Sequence, residues 1–405
     1  MRLQGNSKVM GLVVGLIYVS FALDSLLKID LGFRLHLGVL MMVAMTVLAI
    51  PSFFSLKKSS LERDLGFYLF LIYCLLSAFL LQAAGAAVLS VYVLFALVTM
   101  AFIAAYKSYF RYYHFYWFQI VLIASGLFQY GLFLLFDYQV AFIDPEHYEK
   151  GYSVSKRLRG FFLEPNWYAI ALAFNSLLLV LHPRGLQGRG VLCFFTLLVF
   201  LLNGSIGPAA VFMGLVTIWL MIERPVIGVG AGVFLVVGVC ALVLYRGALV
   251  ETQSLLGFVN SGSRVTPLIN SFAYLNEQSI FTIVFGNGFG SWGIEAVGRG
   301  ISTLVKEPSE AARDASELPV LLFELGFLGL FLIVCDFWVV VALSKHKKVI
   351  YSGVMFLFLF LLVFYPILKF FFYMPYFFLL RHLSNERSLF DQVYGNRRAK
   401  SNHMH

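Results

Sequence analysis

The 405-residue chain is 60% hydrophobic and only 13% charged, which excludes a soluble globular domain, because so much apolar surface could not be kept from water. Its net charge of +9 does not indicate nucleic-acid binding, since the basic residues are scattered through short connections between apolar segments. We therefore expect an all-α, polytopic integral membrane protein.

About twelve apolar segments are long enough to cross a bilayer, which requires roughly 20 residues per helix. In chain order they are 9–27, 35–55, 66–84, 86–106, 115–136, 165–182, 190–203, 205–221, 226–245, 318–344, 350–366 and 367–381. The first is expected to remain as an anchor, because Lys28 and Asp30 follow it in place of a small-residue cleavage site. A break at Pro366 would instead make the last two segments one bent helix. We expect one membrane domain, 1–381, and a cytoplasmic tail, 382–405.

The distribution of Lys and Arg between the connections predicts the orientation. With the N-terminus in the cytoplasm, the cytoplasmic ends and connections hold 18 of the 30 basic residues, whereas the short external connections, counted with Lys369, hold 3. This asymmetry follows the positive-inside rule. The other nine lie in two longer loops, 137–164 and 246–317, on the predicted external face. Since these loops break the rule, we expect their basic residues to have a role other than setting the orientation.

The placement of cysteine and histidine does not support metal or cofactor chemistry. All four cysteines lie inside apolar runs and form no CxxC pair, which is typical of buried packing residues. The eight histidines form no HExxH motif and no pair at metal-ligand spacing, and the sequence contains no GxSxG. We therefore expect no disulfide framework, metal site or bound cofactor.

The segment RLRGFFLEPNWYA, residues 157–169, ends the first external loop and opens a predicted span. Gly160 permits close approach of the backbone, and Glu164-Pro165-Asn166 is typical of a helix start. Arg157 and Arg159 each carry a planar guanidinium that can donate two parallel hydrogen bonds to a phosphate. Solvated or headgroup-binding arginines are the alternative, but two cations beside a helix N-terminus favour a diphosphate site.

The second external loop contains Arg264 and a glycine-rich stretch, FGNGFGSWG, at residues 285–293. Residues Gly288 to Gly293 match GxGxxG, but the loop lacks the strand–helix unit of a nucleotide site, so this match is rejected. Two interpretations remain equally open. The stretch forms tight turns that bring its backbone close to another group, or it is a re-entrant loop.

A cluster of charged residues precedes the span predicted at 318–344. Glu317 stands just outside this span, and Glu324 stands two turns inside it. Outer charges of this kind are typical of a solvated helix end, whereas an ionisable group at membrane depth normally faces a bundle interior or a wet cavity. Asp24 and Asp336 raise the same question, with pairing to an arginine or a backbone group as the alternative.

Four sequence elements occur in a characteristic order. They are Arg157-x-x-Gly160-x-x-x-Glu164-Pro165-Asn166, the turn Asn203-Gly204-Ser205 after a short span, Ser263-Arg264 with the turn Gly286-x-Gly288, and ELGFLGL at residues 324–330. Over roughly residues 150–335 this order resembles the O-antigen polymerase and ligase superfamily. The resemblance implies a GT-C-like glycosyltransferase of the bacterial inner membrane whose donor is a glycan on undecaprenyl diphosphate. It also implies that Arg157 and Arg264 hold the diphosphate, with Arg159 as an additional candidate.

One position distinguishes the two branches of this superfamily. Ligases place a histidine just before the ExG span as a candidate general base, and this chain has Ser316-Glu317-Leu318 there. The resemblance therefore favours a Wzy-type O-antigen polymerase, which transfers the growing glycan to the terminal sugar of another lipid-linked repeat unit. Glu317 is the first candidate base and Glu164 the second. The alternatives are a ligase that uses lipid A core and a flippase for lipid-linked oligosaccharides.

Further substrate contacts follow from side-chain chemistry. Arginines can stabilise a departing diphosphate without a metal, and a carboxylate can accept the proton of the acceptor hydroxyl, with inversion at the anomeric carbon. The candidate groove residues are Gly160, Asn166, Trp167, Tyr168, Trp292 and Glu324. The aromatic members offer flat faces for sugars, with a role at the membrane interface equally open. Membrane lipid and a chain-length regulator protein are the other expected partners.

Overall fold

In the computed structural model, the described part of this chain is almost entirely helical. The structure describes residues 7–23, 26–30, 34–53, 58–136, 158–162, 165–180, 190–204, 266–302, 305, 307–310, 316–343 and 379, with short pieces between 212 and 237. Within this part of the chain, three helices are long and apolar enough to cross a membrane: Ala86–Tyr109, Tyr112–Phe136 and Glu317–Val339. The prediction of a helical membrane protein is confirmed at this level.

Besides the short helical pieces between 212 and 237, ten α-helices have defined bounds in the described part of the chain. They are α1 (Ser7–Ser20), α2 (Leu37–Phe53), α3 (Lys58–Leu80), α4 (Ala86–Tyr106), α5 (Tyr112–Phe136), α6 (Pro165–Val180), α7 (Gly190–Asn203), α8 (Thr266–Asn276), α9 (Ile280–Phe285) and α10 (Glu317–Leu343). A π-helical turn lies at Trp292–Ala296. Between α1 and α2, the strands β1 (Lys28–Asp30) and β2 (Arg34–His36) pair antiparallel, with Ile29 opposite Leu35. This ribbon lies in a short connection, where the chain reverses by pairing its own backbone, so the predicted helical class stands.

Six helices, namely α2, α4, α5, α6, α7 and α10, agree with predicted spans to within three residues at each end. α3 begins eight residues before the span predicted at 66–84, and α8 and α9 lie in a segment predicted as a loop. α4 coincides with the span predicted at 86–106, and α5 with that at 115–136. Shorter apolar helices lie at or beside other predicted spans, at Lys8–Leu23, Leu37–Ile50, Asp64–Leu80 and Gly190–Asn203. The spans predicted at 350–366 and 367–381 lie outside the described residues, apart from Leu379. The number of spans therefore stays a prediction.

The chain divides into two compact units. The first comprises residues 1–55, 98–219 and 375–405, and the second comprises residues 56–97 and 220–374. The predicted membrane domain, 1–381, and tail, 382–405, stay predictions, because the tail lies outside the described residues.

A buried polar network joins four helices of the first unit. Gln119 of α5 donates its amide hydrogens to Ser176 Oγ at 3.0 Å and to Thr196 Oγ1 at 3.1 Å. Its carbonyl oxygen accepts from Asn175 Nδ2 at 2.7 Å, and Asn175 Oδ1 accepts from Tyr18 of α1 at 3.0 Å. These five side chains are between 0% and 3% exposed. Hydrogen bonds buried among apolar helices specify which helix faces meet.

In the second unit α10 packs against α3, and a glycine makes room for a buried acid at their contact. Asp336 of α10 is buried. A Cβ added to Gly66 of α3 would lie 2.6 Å from Asp336 Oδ1, so only glycine leaves space for the carboxylate. Asp336 therefore faces the interior of its unit, which is one of the situations expected of an acid at membrane depth. Asp24 lies outside the described residues.

Candidate functional site

The loop that precedes α6 is packed tightly against the helix that it leads into. Leu158 is buried, and Gly160 has a φ of +54°, in the left-handed region that favours glycine. A Cβ at Gly160 would lie 2.8 Å from Cε2 of Tyr168. The close approach expected at Gly160 is present, and the group that it approaches is the Tyr168 ring.

Asn203, the last residue of α7, holds both ends of this loop. Its Nδ2 donates to the Leu158 carbonyl at 2.6 Å and to the Pro165 carbonyl at 2.7 Å. The Leu158 N–H in turn donates to the Leu202 carbonyl at 3.2 Å. The Asn203 side chain is completely buried. Because one amide binds the backbone on either side of Arg159, the position of that arginine depends on α7 as well as on its own loop.

Tyr168 lies in the interior of the first unit. Its hydroxyl donates to the Leu122 carbonyl of α5 at 2.8 Å, and its ring meets Phe162 edge-on, with the centroids 5.7 Å apart. Gly126 of α5 makes room for the hydroxyl, since a Cβ there would lie 2.6 Å from it. The Tyr168 ring is buried and packs against protein, whereas the sequence suggested a face open to a sugar. The neighbouring candidate Trp167 is partly exposed.

Arg159 supplies the charge of this loop. Its side chain is half-buried, and burial lowers the pKa of its guanidinium, but an arginine stays protonated at neutral pH. A partly desolvated cation attracts an anion more strongly than a cation in bulk water does. The first turn of α6, at Pro165 and Asn166, lies close along the chain, and helix N-termini also favour anions. Arg157 and Glu164 lie outside the described residues.

Asn203→Leu is expected to destabilise the protein by several kcal/mol. The substitution removes the amide donor from the buried Leu158 carbonyl, at about 1–3 kcal/mol for a group left without a partner. It also removes a second hydrogen bond, to the Pro165 carbonyl at the start of α6. Thermal unfolding of purified protein in detergent, followed by tryptophan fluorescence, gives the measurement. Asn276→Leu, at the exposed end of α8, is the control and should leave the unfolding midpoint unchanged. An unchanged midpoint for Asn203→Leu would show that the loop does not depend on this amide.

In the second unit, α10 is interrupted within the ELGFLGL segment. Gly326 has a φ of +59° and a ψ of −163°, which are not helical values. Three carbonyl groups next to the break accept hydrogen bonds from outside the helix: Phe323 from the Asn287 N–H at 3.0 Å, Glu324 from the Gly288 N–H at 2.8 Å, and Leu325 from the Tyr73 hydroxyl at 3.0 Å. Non-helical backbone at membrane depth must find its partners within the protein. Here the glycine turn at residues 286–288 and the Tyr73 hydroxyl provide these hydrogen-bond partners.

The glycine-rich stretch supplies two of these donors through tight turns. Gly286 and Gly288 have φ values of +78° and +98°, and a Cβ on Gly326 would lie 2.7 Å from the Gly286 nitrogen. Gly290 makes a similar contact with Gly85, whose N–H donates to the Gly290 carbonyl at 3.1 Å. Of the two interpretations left open by the sequence, tight turns fit the structure. The group that they approach is the broken helix α10.

The same turn buries two of the predicted groove residues. Glu324 Oε1 accepts a hydrogen bond from the Trp292 backbone N–H at 3.2 Å, and both side chains are completely buried. The Trp292 ring meets Phe323 edge-on at 5.6 Å, so it packs against protein, as Tyr168 does. Glu324 faces the interior of its unit, as expected of an acid at membrane depth. Glu317, the first candidate base, begins α10 and is also buried.

A carboxylate that sequence reasoning missed lies in the π-helical turn. Burial raises the pKa of Glu295, and the positive charge of Arg299 opposes this increase. Arg299 itself is exposed and lies 5.3 Å from the ring centre of Tyr274, a cation–π distance. Carboxyl groups with a raised pKa occur both in proton-transfer sites and in structural ion pairs. In the sequence, Glu295 is marked only by Arg299 four residues later, and such acid–base pairs are also common on solvated helices.

The predicted site residues are distributed over both units. In the first unit, one loop and the helix start after it bring together Arg159, Gly160, Asn166, Trp167 and Tyr168. The second unit holds Trp292, Glu317 and Glu324. Outside the described residues are Arg157, Glu164 and Arg264. Among the described side chains, no group of three His, Cys, Asp or Glu residues could hold a metal ion.

Comparisons of the chain with protein-family models and with curated proteins found no match. A functional conclusion therefore rests on the residues and on their geometry.

Proposed function

We propose that this protein is a glycosyltransferase of the bacterial inner membrane, an O-antigen or related polysaccharide polymerase that uses oligosaccharides on undecaprenyl diphosphate. The loop around Arg159 is the observation that carries this proposal. A half-buried cation stands there beside a helix start, in a loop that Asn203 and Gly160 hold in place. Such a combination suits an oxyanion. A diphosphate on a polyprenyl chain is an oxyanion that can reach this loop laterally from the bilayer.

The proposed reaction moves the glycan from one oxygen to another. The acceptor hydroxyl of a second lipid-linked repeat unit attacks the anomeric carbon, the bond from that carbon to the diphosphate oxygen breaks, and undecaprenyl diphosphate leaves with the electron pair. Arg157 and Arg264, with Arg159, stabilise the charge that develops on the leaving group, without requiring a metal ion. A carboxylate, Glu317 or Glu164, accepts the hydroxyl proton. Attack opposite the leaving group inverts the anomeric configuration.

In this proposal the chain crosses the inner membrane about twelve times, in a GT-C-like arrangement with a cytoplasmic N-terminus. The loops at 137–164 and 246–317 then face the periplasm. Their basic residues, which the positive-inside rule leaves unexplained, are accounted for as substrate-binding groups. A chain-length regulator is the proposed protein partner.

A transporter of the same lipid-linked sugars is the second candidate, because Glu324 and Asp336 are buried acids at membrane depth. Both acids, however, have defined places in the packing. Glu324 accepts the Trp292 N–H, and Asp336 lies in the space left by Gly66. The polymerase is therefore the better supported proposal. A ligase would use the same donor and differ in its acceptor, a lipid A core.

Purified protein in detergent is expected to elongate undecaprenyl-diphosphate-linked repeat units into a ladder of longer lipid-linked glycans, because the donor diphosphate itself provides the leaving group. Gel electrophoresis and mass spectrometry of the products give the measurement. A transporter requires a sealed compartment and would make no product under these conditions, and a ligase would make product only when lipid A core is added. Failure to lengthen any of several different repeat units would overturn the polymerase proposal.

A further inference from the structure

Gln119 and Gln129 lie ten residues apart on the buried face of α5, but their amides differ. Both amide hydrogens of Gln119 are donated and its carbonyl oxygen accepts, all within the polar network of the first unit. Gln129 is only 6% exposed, and no acceptor among the described residues lies within hydrogen-bonding distance of its Nε2. A buried donor without an acceptor destabilises the folded protein, so its presence requires an explanation.

Gln129 lies beside the loop that carries Arg159. The loop packs on Gly126 of α5, where an added Cβ would lie 2.9 Å from Cδ2 of Leu158. A Cβ added to Gly160 would lie 3.6 Å from the Gly126 Cα. Gln129 follows Gly126 by three residues on the same buried face, so the two positions are about 5–6 Å apart. Since Arg159 lies between Leu158 and Gly160 in the chain, Gln129 stands one helical turn from the place on α5 where the Arg159 loop packs.

We propose that Gln129 is a further substrate-binding residue, whose amide N–H groups donate hydrogen bonds to the diphosphate oxygens of the lipid-linked substrate. This inference rests on the proposed function and adds to it a neutral donor from a membrane helix. The chemistry is complementary, because ionised diphosphate oxygens only accept hydrogen bonds and a glutamine amide offers two hydrogens. Departures from full internal hydrogen bonding are expected at functional sites, where the ligand completes the set of partners.

Leucine substitutions at the two glutamines distinguish a binding role from a packing role. Gln119→Leu removes an amide with three hydrogen bonds and is expected to lower the thermal unfolding midpoint of the full-length protein in detergent. Gln129→Leu removes a buried donor that has no acceptor among the described residues and is expected to leave the midpoint unchanged or to raise it. Both variants replace glutamine with leucine on the same helix face. The direction in which each variant shifts the unfolding midpoint therefore shows whether the amide it removes was hydrogen-bonded in the folded protein.

Binding of undecaprenyl diphosphate, without a sugar, to the same proteins measures the proposed contact. Gln129→Leu is expected to weaken this binding by about ten- to a hundredfold, as loss of a hydrogen bond to a charged group does. Folded Gln119→Leu protein is expected to bind the diphosphate as the unaltered protein does. Undecaprenol, which has the same chain without phosphate, should bind equally to Gln129→Leu and to the unaltered protein.

Three contrary outcomes can be told apart. If the unaltered protein neither binds undecaprenyl diphosphate nor elongates glycans, the proposed function fails and the role of Gln129 fails with it. If the unaltered protein binds the diphosphate and Gln129→Leu binds it as tightly, only the role of Gln129 is overturned. A fall in midpoint for Gln129→Leu as large as that for Gln119→Leu also overturns the role, because the amide would then be a packing group.

Discussion

Gly326→Ala is expected to abolish the accumulation of folded protein. Gly326 combines a φ of +59° with a ψ of −163°, a conformation that is nearly restricted to glycine and costs other residues about 1–3 kcal/mol. An added Cβ would also lie 2.5 Å from the Val284 carbonyl oxygen and 2.7 Å from the Gly286 nitrogen. Relieving these contacts would separate α9 from α10 and break the hydrogen bonds of the glycine turn. A combined cost above about 3 kcal/mol is a large part of the net stability of a typical protein.

Size-exclusion chromatography of detergent-solubilised, fluorescently tagged protein measures this effect as the loss of a single symmetrical peak. Gly131→Ala is the matched control, because Gly131 lies in α5 and an added Cβ would have no described atom within 4 Å. Alanine at that helical position is expected to be neutral or stabilising. A normal peak from Gly326→Ala would mean that the backbone at the break tolerates a side chain, contrary to the geometry of α10.

Arg157→Ala and Arg264→Ala are each expected to abolish chain elongation, while the protein still inserts and accumulates. In the proposed site each arginine stabilises the negative charge on the departing diphosphate, and removal of one such group typically lowers the rate by about 10²–10³-fold. Arg157→Lys and Arg264→Lys keep the charge but lose the planar pair of donors, so we expect an intermediate loss. The initial rate of glycan elongation by purified protein gives the measurement.

Arg299→Ala is the matched control for these substitutions. Arg299 is exposed, belongs to the same predicted external loop as Arg264, and lies over the Tyr274 ring. This variant is expected to retain the full rate of elongation. Normal long-chain product from Arg157→Ala or Arg264→Ala would remove the diphosphate role from that residue. An equal loss in all three variants would mean that the two external loops act through their total charge.

Helix positions could be predicted from the sequence because a bilayer demands long apolar segments. α4 and α5 lie where their apolar runs indicated, and α6 begins at Pro165, since proline suits the first turn of a helix. The need for glycine at Gly160 was also predictable, because few other residues permit a close approach of the backbone. These features depend on residues that are near one another in the chain.

Contacts between distant segments could not be predicted in this way. A single asparagine at the end of an apolar run, Asn203, carries no sign that it will bind a loop 45 residues earlier. Gln119 and Gln129 have the same side chain on one helix face, but only the neighbouring helices decide which amide is satisfied. The rings of Tyr168 and Trp292 were predicted as possible sugar platforms, and burial against other helices decided otherwise for both.

By itself, the sequence determined that the chain is a helical membrane protein, where six of its described helices lie, and where its arginine and glycine motifs stand, because composition and backbone preference act locally. Only the tertiary structure decided that Gly160 meets Tyr168, that Gly326 breaks α10 against Gly286, and that Asn203 spans both ends of the Arg159 loop. The physical reason is that such contacts depend on which segments are neighbours and on their register. An apolar segment can lie in the bilayer equally well in many arrangements, so it specifies neither its neighbours nor its register.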